Sequence, residues 1–380
     1  YLTVAFMNAD GFTQPAYFTK PELQELYADL VLRSFRQDVP VREEVDPFLG
    51  LPVVNVSLNV QEKLEPGRAF RQHIPLQTGV DVINFYPYGD AGLPISGLAL
   101  LAIHAFPLGS AKCYGSPLLV HSTNEEIMLY FARMFLKHNQ AATNLAQQAD
   151  NNKLAELPRS RATLVIETLL DALRQQRRSL TKRQPFSITA YHINGGKSPS
   201  LDIYNLPSQI ISYLELMLSH DYAIAWAEIV RRAWIKPKLK QGQTDPSADF
   251  EPDRNYLYED LFRLAEDIEG RASHFIRTYF LRSPFRYARQ ASTDPRGRYS
   301  SQQDLSLVSW KVTAPFLRRI LHMDETRIEQ IRWFGDKLAE YVQGQNDKRF
   351  FRNFYLENNY GNFRTLLMKA NKSHVQRGNE

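Results

Sequence analysis

A single cysteine, Cys113, in 380 residues excludes an internal disulfide framework and any zinc site built from several thiolates. No apolar segment reaches the roughly 20 residues that a bilayer-spanning helix needs. The opening stretch Tyr1 to Phe6 lacks the basic and cleavage regions of a signal peptide. Also missing are a Gly-x-Ser-x-Gly elbow, a His-Glu-x-x-His metal motif and a glycine-rich dinucleotide loop. These absences lead to the expectation of a cytoplasmic protein with no membrane partner, no resident metal and no cofactor. Strong net charge is absent too: 46 basic against 41 acidic residues leave +5. A polyanion partner would therefore have to be met by local clusters rather than by the whole chain.

What is present is an ordinary globular composition, 43% hydrophobic and 23% charged, enough to bury a sizeable core. Backbone-shaping residues concentrate between Phe85 and Ser122 (FYPYGDAGLPISGLALLAIHAFPLGSAKCYGSPLLVHS). Gly89, Gly92, Pro94 and Gly97 predict a loop. Ile95, Leu98, Leu101, Ala102 and Ala105 then recur at three- and four-residue spacing, predicting a buried helix that ends near Pro107 and Gly109. A second glycine loop, Gly109 to Gly115, carries Lys112 in a position suited to phosphate contact. Pro117 to Ser122 reads as a buried strand, and Thr123 with Glu126 as the capping box of a helix over 124–137.

Upstream, Tyr1 to Phe6 reads as a first strand. Thr19 with Glu22 forms a capping box, with Pro21 in the first turn, and Leu23, Leu26, Tyr27, Leu30, Val31 and Phe35 form the buried stripe of that helix. Val53 to Val60 alternates like a strand with one buried and one polar face.

Downstream, basic residues gather in three places. Arg159 to Arg183 is helical, with Leu164, Ile166, Leu169, Leu170 and Leu173 inward. Its cations, Arg159, Arg161, Arg174, Arg177, Arg178, Lys182 and Arg183, outweigh Glu167 and Asp171; a solvated helix end and phosphate contact both fit. Phe186 to Ile193 and Leu201 to Leu206 flank Asn194, Gly195, Gly196, Lys197 and Ser198, the clearest hairpin in the chain. A nucleotide-binding P-loop is excluded there, because Tyr191 stands where the first glycine belongs and strands lie on both sides. The amide of Asn194 and the ammonium of Lys197 suit base edges or phosphate in a DNA groove, although an exposed turn has the same composition. After a helix over 206–233, Arg231, Arg232, Lys236, Lys238 and Lys240 surround Trp234 in the densest positive cluster.

Gln241 to Asp253 is rich in turn residues and predicts a domain boundary, giving a mixed α/β domain over 1–245 and a C-terminal helical bundle over 246–380, an α+β protein. Leu257, Leu261 and Leu264, then Phe275, Ile276 and Tyr279, then Val308, Val312, Phe316 and Ile320, then Ile328, Ile331, Leu338 and Val342 supply the bundle's apolar stripes.

An ordered set of segments carries a resemblance to a known family. In the first half these are Asn84 to Pro87 (NFYP), Gly89 to Pro94 (GDAGLP), Leu98 to Ala102 (LALLA), Phe106 to Gly109 (FPLG), Lys112 to Gly115 (KCYG) and Leu118 to Ser122 (LLVHS). In the second half they are Trp310 to Thr313 (WKVT), Arg327 to Ile331 (RIEQI), Gly335 to Tyr341 (GDKLAEY), Asn346 to Arg349 (NDKR) and Phe363 to Leu367 (FRTLL). Together they resemble the large subunit of type I CRISPR Cascade complexes, closest to the type I-B branch. The resemblance implies a non-catalytic subunit of a guide-RNA surveillance complex. Such a subunit reads a short protospacer-adjacent motif in duplex DNA, assists strand opening and R-loop stabilisation, and offers a platform to a helicase-nuclease. Implied partners are guide RNA, target double-stranded DNA, backbone and guide-end-capping subunits, small subunits and the helicase-nuclease. On this reading Asn194, Gly195, Gly196, Lys197 and Lys112 contact the motif. Arg177, Arg178, Lys182, Arg183, Arg231, Arg232, Lys236, Lys238, Lys240, Lys348, Arg349 and Arg352 meet nucleic-acid backbone, with Arg364 on the same helical surface as the last three.

Two rival expectations stand beside it. One is a hydrolase using Cys113 or Ser110 with His104 or His121; the other is a DNA-binding protein that never joins a guide complex.

Overall fold

The computed structural model describes residues 20–36, 38–58, 65–70, 91–149, 157–176, 184–194, 200–235, 253–280, 310–346, 349–350, 353–354, 357 and 360–377. The fold is α+β, as the sequence predicts: small antiparallel sheets accompany many helices, and every described element after Asn255 is a helix. The chain divides into two compact units, Tyr1–Ile211 with Ile235–Phe262 and Ser212–Trp234 with Arg263–Glu380. The first strand and the domain boundary expected from sequence lie outside the described residues.

In the first unit, α1 (Pro21–Ser34) opens with proline at its first position, where the missing N–H would have had no partner. Its N-cap is Lys20 with no side-chain cap, so the expected capping box is not what starts it. Tyr27 and Val31 of α1 pack with Leu58, Ala69, Ile95, Ala99 and Leu100 into one apolar group. Two short antiparallel ribbons border it: β1 (Val41–Val45) with β2 (Pro52–Val54), and β3 (Arg68–Ala69) with β4 (Leu93–Pro94). Of the strand expected from Val53 to Val60, only Val53 and Val54 fall in β2, and Asn55 to Leu58 are not strand.

The helix α2 (Gly97–Ala105) is capped by the Ser96 hydroxyl, which accepts from the Ala99 amide, and ends in a 3₁₀ turn at Phe106–Gly109. Its buried face differs from the expected one. Ala99 and Leu100 are buried, while Leu98 and Leu101 are exposed. A helix apolar on every side carries no periodic signal to say which face turns inward.

Beyond it lies the four-stranded antiparallel sheet β5 (Ala111–Cys113), β6 (Ser116–Ser122), β7 (Ile188–Asn194) and β8 (Ser200–Leu206), in that order. The helix α3 (Glu125–Gln148) packs on β5 and β6, and α4 (Arg161–Gln176) packs on α3. The N-cap of α3 is Asn124, whose side chain accepts from the Ile127 amide, rather than the predicted Thr123. It also runs eleven residues past its predicted end at 137. Asn139, buried in that extension, donates to the carbonyls of Leu108 and Ser110 at 3.0 and 2.8 Å, which ties the polar segment to the turn after α2.

The expected helix over 206–233 is two helices, α5 (Ser208–Met217) and α6 (Ala223–Arg232). They part at Ser219, whose hydroxyl donates to the Leu216 carbonyl and competes with the helical ladder. The remaining helices are α7 (Tyr256–Glu266), α8 (Ile268–Tyr279), α9 (Trp310–Arg319), α10 (Glu325–Gln345) and α11 (Tyr360–Arg377). The second unit's core is aromatic. Phe316 stacks on Phe275 at 5.4 Å and meets the edges of Tyr213 and Phe280, and Tyr213 in turn meets Trp226. No helix among the described residues is long and apolar enough to cross a membrane.

Candidate nucleic-acid interface

The sheet has two unlike faces because side chains alternate along each strand. Ala111, Cys113, Leu118, Val120, Ser122, Ile188, Ala190, His192 and Leu206 point to the side of α3 and α4 and are buried. Lys112, Leu119, His121, Thr189, Tyr191, Ile193, Leu201, Ile203 and Asn205 point to the other side, and all are at least partly accessible. Buried Pro117 is the exception on that face. Lys112 is therefore not in a loop, as the glycines on either side suggested. It lies in β5, paired with Pro117, and faces outward because its two neighbours are drawn into the core.

The turn that joins β5 to β6 is Tyr114-Gly115, with φ of 52° and 73°. Positive φ at both central residues is the two-residue type I′ hairpin turn, whose twist matches the flanking strands. Leu118 pairs with His192, so the start of β6 lies beside the end of β7. The Tyr114 turn and the tip of the β7–β8 hairpin consequently share one end of the sheet. Asn194 closes β7 opposite Ser200. Gly195, Gly196 and Lys197 form the connection and lie outside the described residues. Toward its tip the hairpin's outer strand is open on both faces: Leu201 and Ile203 are 54% and 57% exposed, and Ser200 and Asp202 are exposed as well.

A cluster that the sequence reading missed braces this end from the core side. Arg161, the first residue of α4, donates through Nη1 to His192 Nδ1 at 3.1 Å and to the Asp202 carboxylate. Its guanidinium lies 5.0 Å from the Tyr114 ring centre and 6.0 Å from that of Tyr204. His192 Nε2 is 2.9 Å from the Cys113 carbonyl. A carbonyl only accepts, so Nε2 carries the proton and Nδ1 is the acceptor, which makes the ring neutral. Burial lowers the His192 pKa, and Arg161 acts in the same direction, against the opposing pull of the Cys113 carbonyl and Asp202. Burial likewise raises the Tyr114 and Tyr204 phenols. One sequence signal pointed to this cluster. A cation in the first turn of a helix opposes the helix dipole, so Arg161 needs a tertiary anion, and Asp202 is that anion.

The other predicted contacts divide between paired and exposed positions. Arg231 donates to Glu228 on α6 at 2.7 Å. Arg349 is exposed, and Arg232 is the last residue of α6. Of the basic α4 face, Arg159 bridges Glu167 and Asp253 at 2.9 and 3.0 Å, and Arg174 pairs with Asp171. These cations neutralise neighbouring carboxylates rather than forming a free basic stripe. Arg177, Arg178, Lys182, Arg183, Lys236, Lys238, Lys240, Lys348 and Arg352 lie outside the described residues.

The hydrolase groups are placed differently from a working dyad. Cys113 points to the buried side of the sheet and His121 to the accessible side. Ser110 is buried and its hydroxyl donates to the Pro107 carbonyl. His192, the histidine nearest Cys113 along the sheet, has both ring nitrogens engaged. Among the described residues, no three His, Cys, Asp or Glu side chains gather as a metal site. What the sheet end offers is the edge hairpin β7–β8 in the same sheet as an outward lysine; a two-stranded ribbon is an element that the major groove of duplex DNA admits. Comparison with known proteins finds no matching family model, no matching curated protein and no matching solved structure.

Proposed function

We propose that this chain is a non-catalytic, cytoplasmic large subunit of a guide-RNA surveillance complex of the type I Cascade kind. In this role the β7–β8 hairpin inspects duplex DNA for a short adjacent motif, with Asn194 through Lys197 at its tip and Lys112 beside it. The single observation that supports the reading best is the hairpin itself, an antiparallel pair whose outer strand is open on both faces toward its tip and which Arg161 braces near that end. Guided recognition needs this kind of part, since base pairing with the guide reads the long target and protein reads only the short duplex element.

The test is native mass spectrometry of the chain co-expressed with its genomic neighbours and a repeat-spacer transcript. The expected result is one assembly containing guide RNA, several copies of a backbone subunit and this chain. Recovery of the chain alone, with the other components assembled without it, overturns the reading. A stand-alone DNA binder is the second reading, supported by the same hairpin; it predicts duplex binding by the isolated chain with no guide complex formed.

A further inference from the structure

The helix α10 leaves large apolar side chains uncovered. Ile331, Trp333 and Phe334 are 41%, 57% and 63% exposed, and the Trp333 and Phe334 rings meet edge to face at 5.4 Å. Scattered exposed apolar residues are ordinary, whereas contiguous ones mark surfaces that bind. Ile331, Phe334, Leu338 and Tyr341 follow one another at steps of three, four and three residues, the spacing by which a helix offers a seam to another helix.

The helix α11 fills only part of that seam. Phe334, Leu338 and Tyr341 face Leu367 and Met368 across a groove of 220 Å³. That volume is below the roughly 300–1,000 Å³ of small-molecule sites, so the groove suits inserted side chains better than a cofactor. Methionine adapts its shape to such knobs. Arg364 lines the same groove, as does Lys337, whose ammonium is paired with Glu340 at 2.8 Å. Over Tyr360–Arg377, α11 carries Arg364, Lys369, Lys372 and Arg377 and no acidic residue.

An apolar floor with a cationic edge on the α11 side complements an amphipathic helix with an acidic flank on that side. Nucleic acid would satisfy the cations but would bury its polar edges against leucine and methionine. A second copy of the chain, meeting this patch with the same patch, would set Arg364 against its own copy. We propose that the α10–α11 groove docks an amphipathic helix of a partner protein, apolar at i, i+3 or i+4 and i+7 and acidic on the flank that meets α11. This inference does not rest on the DNA reading, and it assigns Arg364 to a protein partner instead of nucleic-acid backbone.

The experiment is fluorescence anisotropy of the full chain with two labelled helical peptides of about eighteen residues, long enough to line the exposed length of α10. Both carry leucine at the i, i+3, i+4, i+7 positions; one has glutamate flanks and the other lysine flanks. The expected result is saturable binding with at least about a tenfold preference for the glutamate peptide. L367D abolishes binding, and the surface variant R364E, which leaves the apolar packing intact, removes the preference. Equal affinity for the two peptides, or no binding of either, overturns the proposal. So does displacement of the glutamate peptide by single-stranded DNA or phosphatidylserine vesicles at lower concentration than by unlabelled peptide, or self-association of the chain that F334D removes.

Discussion

Arg161 Nη1 donates to His192 Nδ1 at 3.1 Å, and the same nitrogen also serves the Asp202 carboxylate across the β7–β8 pair. One guanidinium therefore fixes both strands of the hairpin to the start of α4. Replacing it with methionine keeps the stem and removes both bonds, leaving a buried imidazole acceptor unmatched. The expected loss is about 1–3 kcal/mol in urea unfolding, most of it from His192, because Asp202 is half-exposed and solvent screens its ion pair. An unchanged urea midpoint for R161M would show that the network does not hold the hairpin.

His192 also sets a pH dependence. Its folded pKa lies below the ordinary ~6.5, so the unfolded chain binds more protons in the interval between the two values. The stability it contributes is fully present above pH ~6.5 and is lost as pH falls toward the folded value. The groups facing it are Arg161 from α4, Asp202 from β8 and the Cys113 carbonyl from β5. H192N, measured by thermal unfolding between neutral and mildly acidic pH, should flatten this slope; the same slope in variant and parent would assign it to other groups.

Gly97 reverses the usual rule for glycine in helices. Alanine normally favours a helix over glycine by about 1 kcal/mol. Here a Cβ would run into the Ser34 carbonyl oxygen at the end of α1, a backbone atom that cannot turn aside. G97A should therefore destabilise, by about 1–3 kcal/mol. A stabilised G97A would mean that α1 and α2 are not in close contact at this point.

Two substitutions in the aromatic core should act in opposite directions. F316A removes a fully buried ring in contact with Tyr213, Phe275 and Phe280, at an expected cost of about 3–5 kcal/mol. Among the described residues, the Tyr213 hydroxyl is buried without a hydrogen-bond partner. Y213F should leave stability unchanged or raise it by about 1 kcal/mol, since it removes an unmatched polar group. A destabilised Y213F would reveal a partner for the hydroxyl, such as a bound water.

For the proposed DNA contact, K112A and K197A should each lower the slope of log affinity against log salt by about one, with the double variant losing about two. Measurement on the assembled complex with a short duplex checks this. Unchanged slopes for both variants would remove this end of the sheet from the DNA path.

The two strands of the β7–β8 hairpin were legible to within one or two residues, Phe186 and Ser187 proving not to be strand and Asn194 proving to close β7, because alternation of apolar and polar side chains is a local property. The helical character of the C-terminal half was legible for the same reason: its apolar stripes repeat at the helical period. Charge was read less well. Arg159, Arg161 and Arg174 look like one basic face in the sequence, yet each is paired, and the partners Asp253 and Asp202 are far away along the chain.

The sequence by itself determined the fold class and the hairpin, since secondary structure follows from turn chemistry and from the period of apolar side chains within a few residues. Only the tertiary structure decided that Lys112 sits in a strand and faces outward, that the largely apolar α2 buries Ala99 and Leu100 instead of Leu98 and Leu101, and that Arg161 braces the hairpin. Those outcomes depend on which distant segments arrive alongside, and a guanidinium carries no local mark of the carboxylate that will meet it.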